Sequence, residues 1–236
     1  MTNSIVENDN LNNEINKNMD TNSKDMINPS AKRPDERGSV HVQGHIKIFD
    51  PETNEVFIDK RNAIHYENMS EALALAVSNK GFGFISEMHF GNGGTTVDPT
   101  GVITYLPTNT NVQNADLYSP QYYKIVDDTN AANSDPLRNK ITITHTPGLI
   151  YTDILVTCLL DYGEPSGQAA FDNSQDLNSQ FVFDELGLKG YSTDGEGLGK
   201  LLTHVIFSPV QKSLNRLIQI DYTVRIQTLT NLSTNA

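Results

Sequence analysis

Lys140-Ile141-Thr142-Ile143-Thr144 carries an apolar side chain at every second position. Ile150-Tyr151-Thr152-Asp153-Ile154-Leu155-Val156-Thr157-Cys158-Leu159-Leu160 follows and is apolar on both faces. A period of two marks a strand with one covered face, and a run apolar on both sides marks a strand inside a sheet. Together they set the expectation of a β body with 150–160 as a central strand.

Strand-like runs extend outward from there. Toward the C-terminus, Phe181-Val182-Phe183-Asp184-Glu185-Leu186-Gly187-Leu188, Leu201 to Phe207 and Leu217 to Ile226 read as strands. Toward the N-terminus, Gln121 to Val126 and Phe84 to Phe90 do so too. A first hairpin is expected from Val40–Phe49 and Glu55–Ile58. Between them Asp50-Pro51-Glu52-Thr53-Asn54 has turn chemistry: Asp and Asn bond their own backbone, and Pro presets φ. One helix stands out at Ala72-Leu73-Ala74-Leu75-Ala76-Val77, with Asn68 or Ser70 as its cap and Gly81 as its left-handed stop. Being apolar nearly all round, it is expected to lie buried against a sheet. The fold class is therefore mainly β: an antiparallel β-sandwich with one short helix and a polar N-terminal extended arm. The stretches 107–120, 127–139 and 163–179 read as long polar loops, a length that suits contact surfaces.

Three segments follow. Residues 1–38 are Asn-rich, lack aromatic residues and hold apolar residues too sparse to offset the entropy of ordering, so an arm disordered until bound is expected. Leu11, Ile15 and Met19 share one helical face and could form a short amphipathic helix against a partner. Residues 39–228 form the β-sandwich body, and 229–236 a polar tail.

Composition narrows the function. The chain has 236 residues, and 17 Lys and Arg against 29 Asp and Glu give a net charge of −12, which disfavours gripping phosphate backbones or an anionic membrane surface. Neither nucleic acid nor membrane is an expected partner. No run approaches the roughly 18 apolar residues of a membrane span, and the polar N-terminus has no secretory h-region. A single cysteine, Cys158, leaves no internal disulfide framework and no Cys-rich zinc site.

The titratable residues do not assemble into chemistry by spacing. His41 and His45 share one strand face but stand about 13 Å apart, too far for one metal. His65, His89, His145 and His204 are scattered through strand-like runs and read as half-buried or surface sheet residues. Cys158 sits in a core strand, where burial makes a thiol inert. Asp184-Glu185 and Asp127-Asp128 are adjacent, and strand neighbours point to opposite faces, so neither pair reads as a glycosidase couple. Asp194-Gly195-Glu196-Gly197 lacks the spacing of a calcium loop. Gly91-Asn92-Gly93-Gly94-Thr95-Thr96 precedes a turn rather than a helix, so it does not read as a phosphate cradle. Gly91, Gly93 and Gly94 are expected to supply positive φ for a sharp corner. No catalytic residue, metal or cofactor is expected, and the chain reads as non-enzymatic.

Met88-His89-Phe90-Gly91-Asn92-Gly93-Gly94-Thr95-Thr96 resembles a strand-then-glycine corner of virion proteins from tailed bacteriophages. Asp184-Glu185-Leu186-Gly187-Leu188, with Leu201 through Lys212 and the last strand Leu217–Ile226, is similar to a second pattern in tail-fibre and tail-collar proteins. Asp59 to Ser70 also looks like stretches of large-tailed phage structural proteins. The resemblance covers residues 40–227 through short motifs in order. It implies a virion component, assembled in the host cytoplasm: a ring-like homo-oligomer at the neck, collar, tail or fibre attachment, touching portal, neck, tail or fibre proteins. The chain stops at Ala236 without a repetitive shaft, which points to an adaptor rather than a whole fibre. Leu11, Ile15 and Met19 of the arm, and Tyr118 and Phe171 of the loops, are the expected assembly contacts. A capsid decoration protein and a carbohydrate-binding module are the alternatives; the lack of Trp counts against the second.

Overall fold

The alternating and doubly apolar runs fold as strands. The computed structural model describes residues 38–166 and 181–230. In chain order the elements are β1 (Gly38–Phe49), β2 (Val56–Arg61), β3 (Ala63–Ile64), α1 (Tyr66–Ser78), β4 (Ile85–Gly91), β5 (Thr95–Val97) and β6 (Ile103–Tyr105). They continue with β7 (Pro120–Ile125), β8 (Lys140–His145), β9 (Tyr151–Leu160), β10 (Phe181–Gly190), β11 (Thr203–Lys212) and β12 (Ile218–Thr230). Sheet I runs β2-β1-β12-β9-β8, sheet II runs β3-β11-β10-β4-β7, and β5-β6 is a small ribbon. The molecule is a mainly β, antiparallel sandwich with one short helix. Apart from Gly38, Ser39 and Thr230 at the ends of β1 and β12, its strands belong to one compact unit, Val40–Leu229.

The core lies between the two sheets. Sheet I contributes Ile46, Ile48, Val156, Cys158, Leu160, Ile220 and Tyr222, each without solvent exposure. Sheet II contributes Met88, Phe90, Phe183, Leu186 and Leu188. The phenyl rings of Phe90 and Phe207 meet Phe183 edge-on, at centroid distances of 5.4 and 5.8 Å. Each fully buried side chain of this size contributes about 1.5–3 kcal/mol. The first hairpin forms as its turn chemistry dictates: the Asp50 carboxylate accepts from the N–H groups of Glu52 and Thr53 at 2.8 and 3.2 Å.

Three details differ from the sequence reading. The helix begins earlier, at Tyr66. Its cap is His65, whose Nδ1 accepts from Asn68 N–H at 3.2 Å, the role an Asp or Ser oxygen usually fills. Its stop is Asn79, left-handed at φ 53°, rather than Gly81. Only Asn68, Met69 and Ala72 are buried, and Val77 is 89% exposed, so the helix covers the core with one face instead of being enclosed. Second, Thr95–Val97 and Ile103–Tyr105 pair as a hairpin where only a turn was expected. Asp98 organises its tip by accepting from Thr100 and Val102 N–H. Third, β9 is flanked by β8 and β12 as an interior strand should be, but its first half is only partly buried.

Leu11, Ile15, Met19 and Phe171 lie outside the described residues, as do the arm 1–37, most of the loop 163–179 and the end of the tail.

Candidate functional site

The outer face of sheet II is polar, and two long connections close over it. On β10, Phe183, Leu186 and Leu188 all face the core, so the alternation skips a place at Asp184–Glu185. The β10–β11 register shifts between Phe183 and Glu185. The local bulge therefore turns two consecutive carboxylates toward the same side, against the rule that strand neighbours oppose each other. Both are buried.

Asp184 and Glu185 hold the connection from Gly91 to Ser119. Asp184 accepts from Gly94 N–H and Thr95 N–H, each at 2.9 Å, and from the Thr95 hydroxyl. Glu185 accepts from Gly93, Tyr118 and Ser119 N–H at 3.1, 2.9 and 2.8 Å. The fourth donor is His204 Nε2, at 3.0 Å. His204 Nδ1 accepts from Asn109 N–H at 2.8 Å, so the proton sits on Nε2 and both ring nitrogens are engaged. Burial pushes the Glu185 carboxyl up. The His204 hydrogen bond and the three backbone N–H groups outweigh it and hold the group below its ordinary value.

A second clamp holds the connection between β10 and β11. Glu87 on β4 accepts from Gly197 N–H at 2.9 Å and from His89 Nε2 at 2.7 Å. Gly197 has φ 79°, which suits glycine. Lys189 on β10 donates to Gly197 O at 3.1 Å and to Asp116 at 2.8 Å, tying the two connections together. His89 stacks on Tyr123, whose hydroxyl donates to Glu196 at 2.9 Å. The Glu87 carboxyl is raised by burial, but His89 and Gly197 N–H lower it further, with help from the Lys189 charge. A third brace is His65: besides capping α1, its Nε2 meets Val112 O at 2.7 Å, while Asn68 donates to Gln113 O and Leu201 O.

Gly91, Gly93 and Gly94 form the corner between β4 and β5, but for another reason than expected. None of them adopts positive φ. Each is glycine because the loop is drawn so close to the sheet that a Cβ does not fit. At Gly94 it would lie 2.8 Å from Ile206 Cγ2, and at Gly93 2.9 Å from Ser119 N. Close approach, rather than handedness, excludes a side chain.

Tyr118 is partly exposed; its backbone is fixed by Glu185 and its hydroxyl donates to Pro107 O at 2.7 Å. His65, His89 and His204 are buried and bonded, not half-buried sheet residues; covering loops make the difference. Cys158 is buried, and burial pushes its thiol up to about 12. Among the described residues, no three His, Cys, Asp or Glu side chains stand together as a metal site.

Grooves flank this face. One of 430 Å³ lies between β2, β11 and the segment after β6. Another, of 270 Å³, lies between α1 and the 190–200 connection. Phe82 and Tyr191 line it, and Lys200 and Glu71 pair across it at 2.6 Å. Compared with protein-family models, with curated proteins and with solved structures, the chain finds no match.

Proposed function

We propose that this chain is a non-enzymatic structural subunit of a tailed-bacteriophage particle. It assembles with copies of itself, and with portal, neck, tail or fibre proteins, as a collar or fibre-attachment adaptor. The observation that carries this reading is the commitment of the buried ionisable groups. Glu185, His204, Glu87 and Lys189 spend their hydrogen bonds on loop backbone and on one another, so the long connections become fixed parts of a rigid body. A docking subunit needs such a surface, because pre-ordered loops lose little entropy on association. The particle context rests on the resemblance of its motif order to that of phage tail proteins. The acidic charge keeps free subunits soluble before assembly.

The test is the mass of the full-length protein across a concentration range, with negative-stain images of the heaviest species. A closed ring of defined copy number is expected. A protomer mass at every concentration overturns the reading. Localisation in a particle reconstruction separates neck or tail from capsid decoration.

A second reading, carbohydrate binding, draws on one feature. Phe84 stacks on Tyr191 at 5.2 Å, Phe82 packs beside them, and both phenylalanines are exposed next to the 270 Å³ groove. Specific glycan-array binding that is lost in Tyr191→Ala would favour it.

A further inference from the structure

We infer that the 430 Å³ groove accepts an extended segment from the N-terminal arm of a second copy, which adds as a sixth strand to the open edge of β2. The inference rests on the assembly reading and names how neighbouring copies join.

The edge is defined by main-chain direction. Asn62 N–H donates to Gly44 O at 3.2 Å, and Lys60 and Ile58 stand opposite Ile46 and Ile48 in the same register. Residues 58, 60 and 62 therefore turn their peptide groups toward β1, and Asp59 and Arg61 turn theirs away. β2 is the outer strand of sheet I, so these groups face the groove. The opposite wall is a second strand edge. β3 covers β11 only at Thr203 and His204, leaving Ile206 uncovered on that side. The Ile206 carbonyl is met by Lys60 Nζ at 2.7 Å, a side chain reaching across the gap where a strand would bond. Unpaired strand edges are templates for an incoming strand, and proteins blunt them unless they are used. Here the edge opens into a groove walled by Leu106, Val205 and Ile206.

The occupant follows from charge and from the chain available. The rim carries Lys60 and Arg61, while Asp59 is paired with His45 at 2.8 Å. A strand lying there needs one apolar face for the wall and an acidic residue for the rim. The arm before Gly38 supplies Ile5-Val6-Glu7, which as a strand turns the β-branched Val6 to the wall and Glu7, on the same side as Ile5, to the rim. Residues 1–20 as a whole hold Glu7, Asp9, Glu14 and Asp20 against the single Lys17.

The experiment uses the full chain. Amide exchange at Asp59, Arg61 and Ile206 is followed from dilute to assembled protein. In parallel, a pool carrying Glu7→Cys is mixed with a pool carrying Ser208→Cys under mild oxidation; Cys158 is buried and does not compete. The expected result is roughly tenfold or greater slowing at Asp59 and Arg61 on assembly, with a disulfide joining the two pools. Asp59→Pro, which removes an outward N–H together with the Asp59–His45 pair, should abolish both, whereas Asp59→Ala, which removes the pair alone, should abolish neither. If copies assemble while Asp59 and Arg61 exchange unchanged, strand addition is wrong and the assembly reading survives. If the protein stays a protomer at all concentrations, the assembly reading itself fails. Protection without a disulfide between pools overturns the exchange of arms between copies. The exchange measurement needs no variant, so a misfolded Asp59→Pro leaves the test intact.

Discussion

Leu186 and Glu185 are neighbours on one strand, both fully buried, and they close opposite faces of sheet II by different means. Leu186 joins an apolar core in which contacts are non-directional and many. Glu185 sits under a loop and gathers four donors at fixed geometry. The apolar face specifies a fold class, and many sequences of similar pattern satisfy it. The polar face specifies one loop conformation, because a buried carboxylate without its donors, or donors without the carboxylate, is costly. The contrast explains how long connections lie fixed on a rigid body.

Replacing Glu185 by Leu tests the contrast hardest. It leaves three N–H groups and His204 Nε2 without an acceptor. At roughly 1–3 kcal/mol for each unsatisfied buried group, the loss is of the order of the whole stability of a domain. Urea titration should show a protein unfolded or nearly so. Leu186→Ala should cost less, about 2–5 kcal/mol, with a shifted midpoint and an unchanged slope. If Leu186→Ala proves the more damaging, the polar face is an accessory and the contrast breaks.

Acid separates the faces without mutation. The folded Glu185 and Glu87 carboxyls lie below their ordinary value of 4.5. Their contribution is therefore complete above that value and is lost as pH falls through the folded one. Urea midpoints should drop between neutral pH and about pH 3. The drop should shrink in Glu87→Gln, which no longer titrates at that clamp. A drop of the same size in that variant would place the acid sensitivity elsewhere.

The smallest effect concerns a cation on the apolar side. Lys212 is fully buried at the end of β11 and donates to Ser213 O at 2.7 Å. Burial pushes its ammonium down to about 8 from 10.5, against the pull of Glu164 and Asp161. The unfolded chain holds that proton more tightly, so stability should rise with pH between those values. Lys212→Met should stabilise the protein at neutral pH, on the order of 1 kcal/mol, and should flatten the alkaline rise. Thermal midpoints of both proteins at pH 7 and in the alkaline range check it.

The sandwich was legible because its signal is periodic. Ile141, Ile143 and the doubly apolar run to Leu160 declare a strand whatever covers them. The clamps were not legible. Glu87 and His89 on one strand, and Glu185 and Lys189 on another, are interleaved with apolar residues just as solvent-facing residues are. Only the covering loops, whose path no local spacing encodes, turn them into buried anchors. The bulge at Asp184–Glu185 hid the second clue, since alternation assigns the two carboxylates to opposite faces. The glycines at 91, 93 and 94 were visible as a corner. Their reason, contact with Tyr118, Ser119 and Ile206, depends on residues far away in the chain. The β5–β6 hairpin was missed because each strand has three residues, too few for a period to show.

At the centre stands the claim that the polar face is a fixed part of the body rather than a mobile cover. Residue-resolved amide exchange of the free full-length protein at neutral pH reads this directly at Gly93, Tyr118 and Ser119. Protection within about tenfold of the β10 core amides is the predicted result. Exchange at the rate of open loops would contradict it, because Glu185 and His204 would then be free to meet something other than their own backbone.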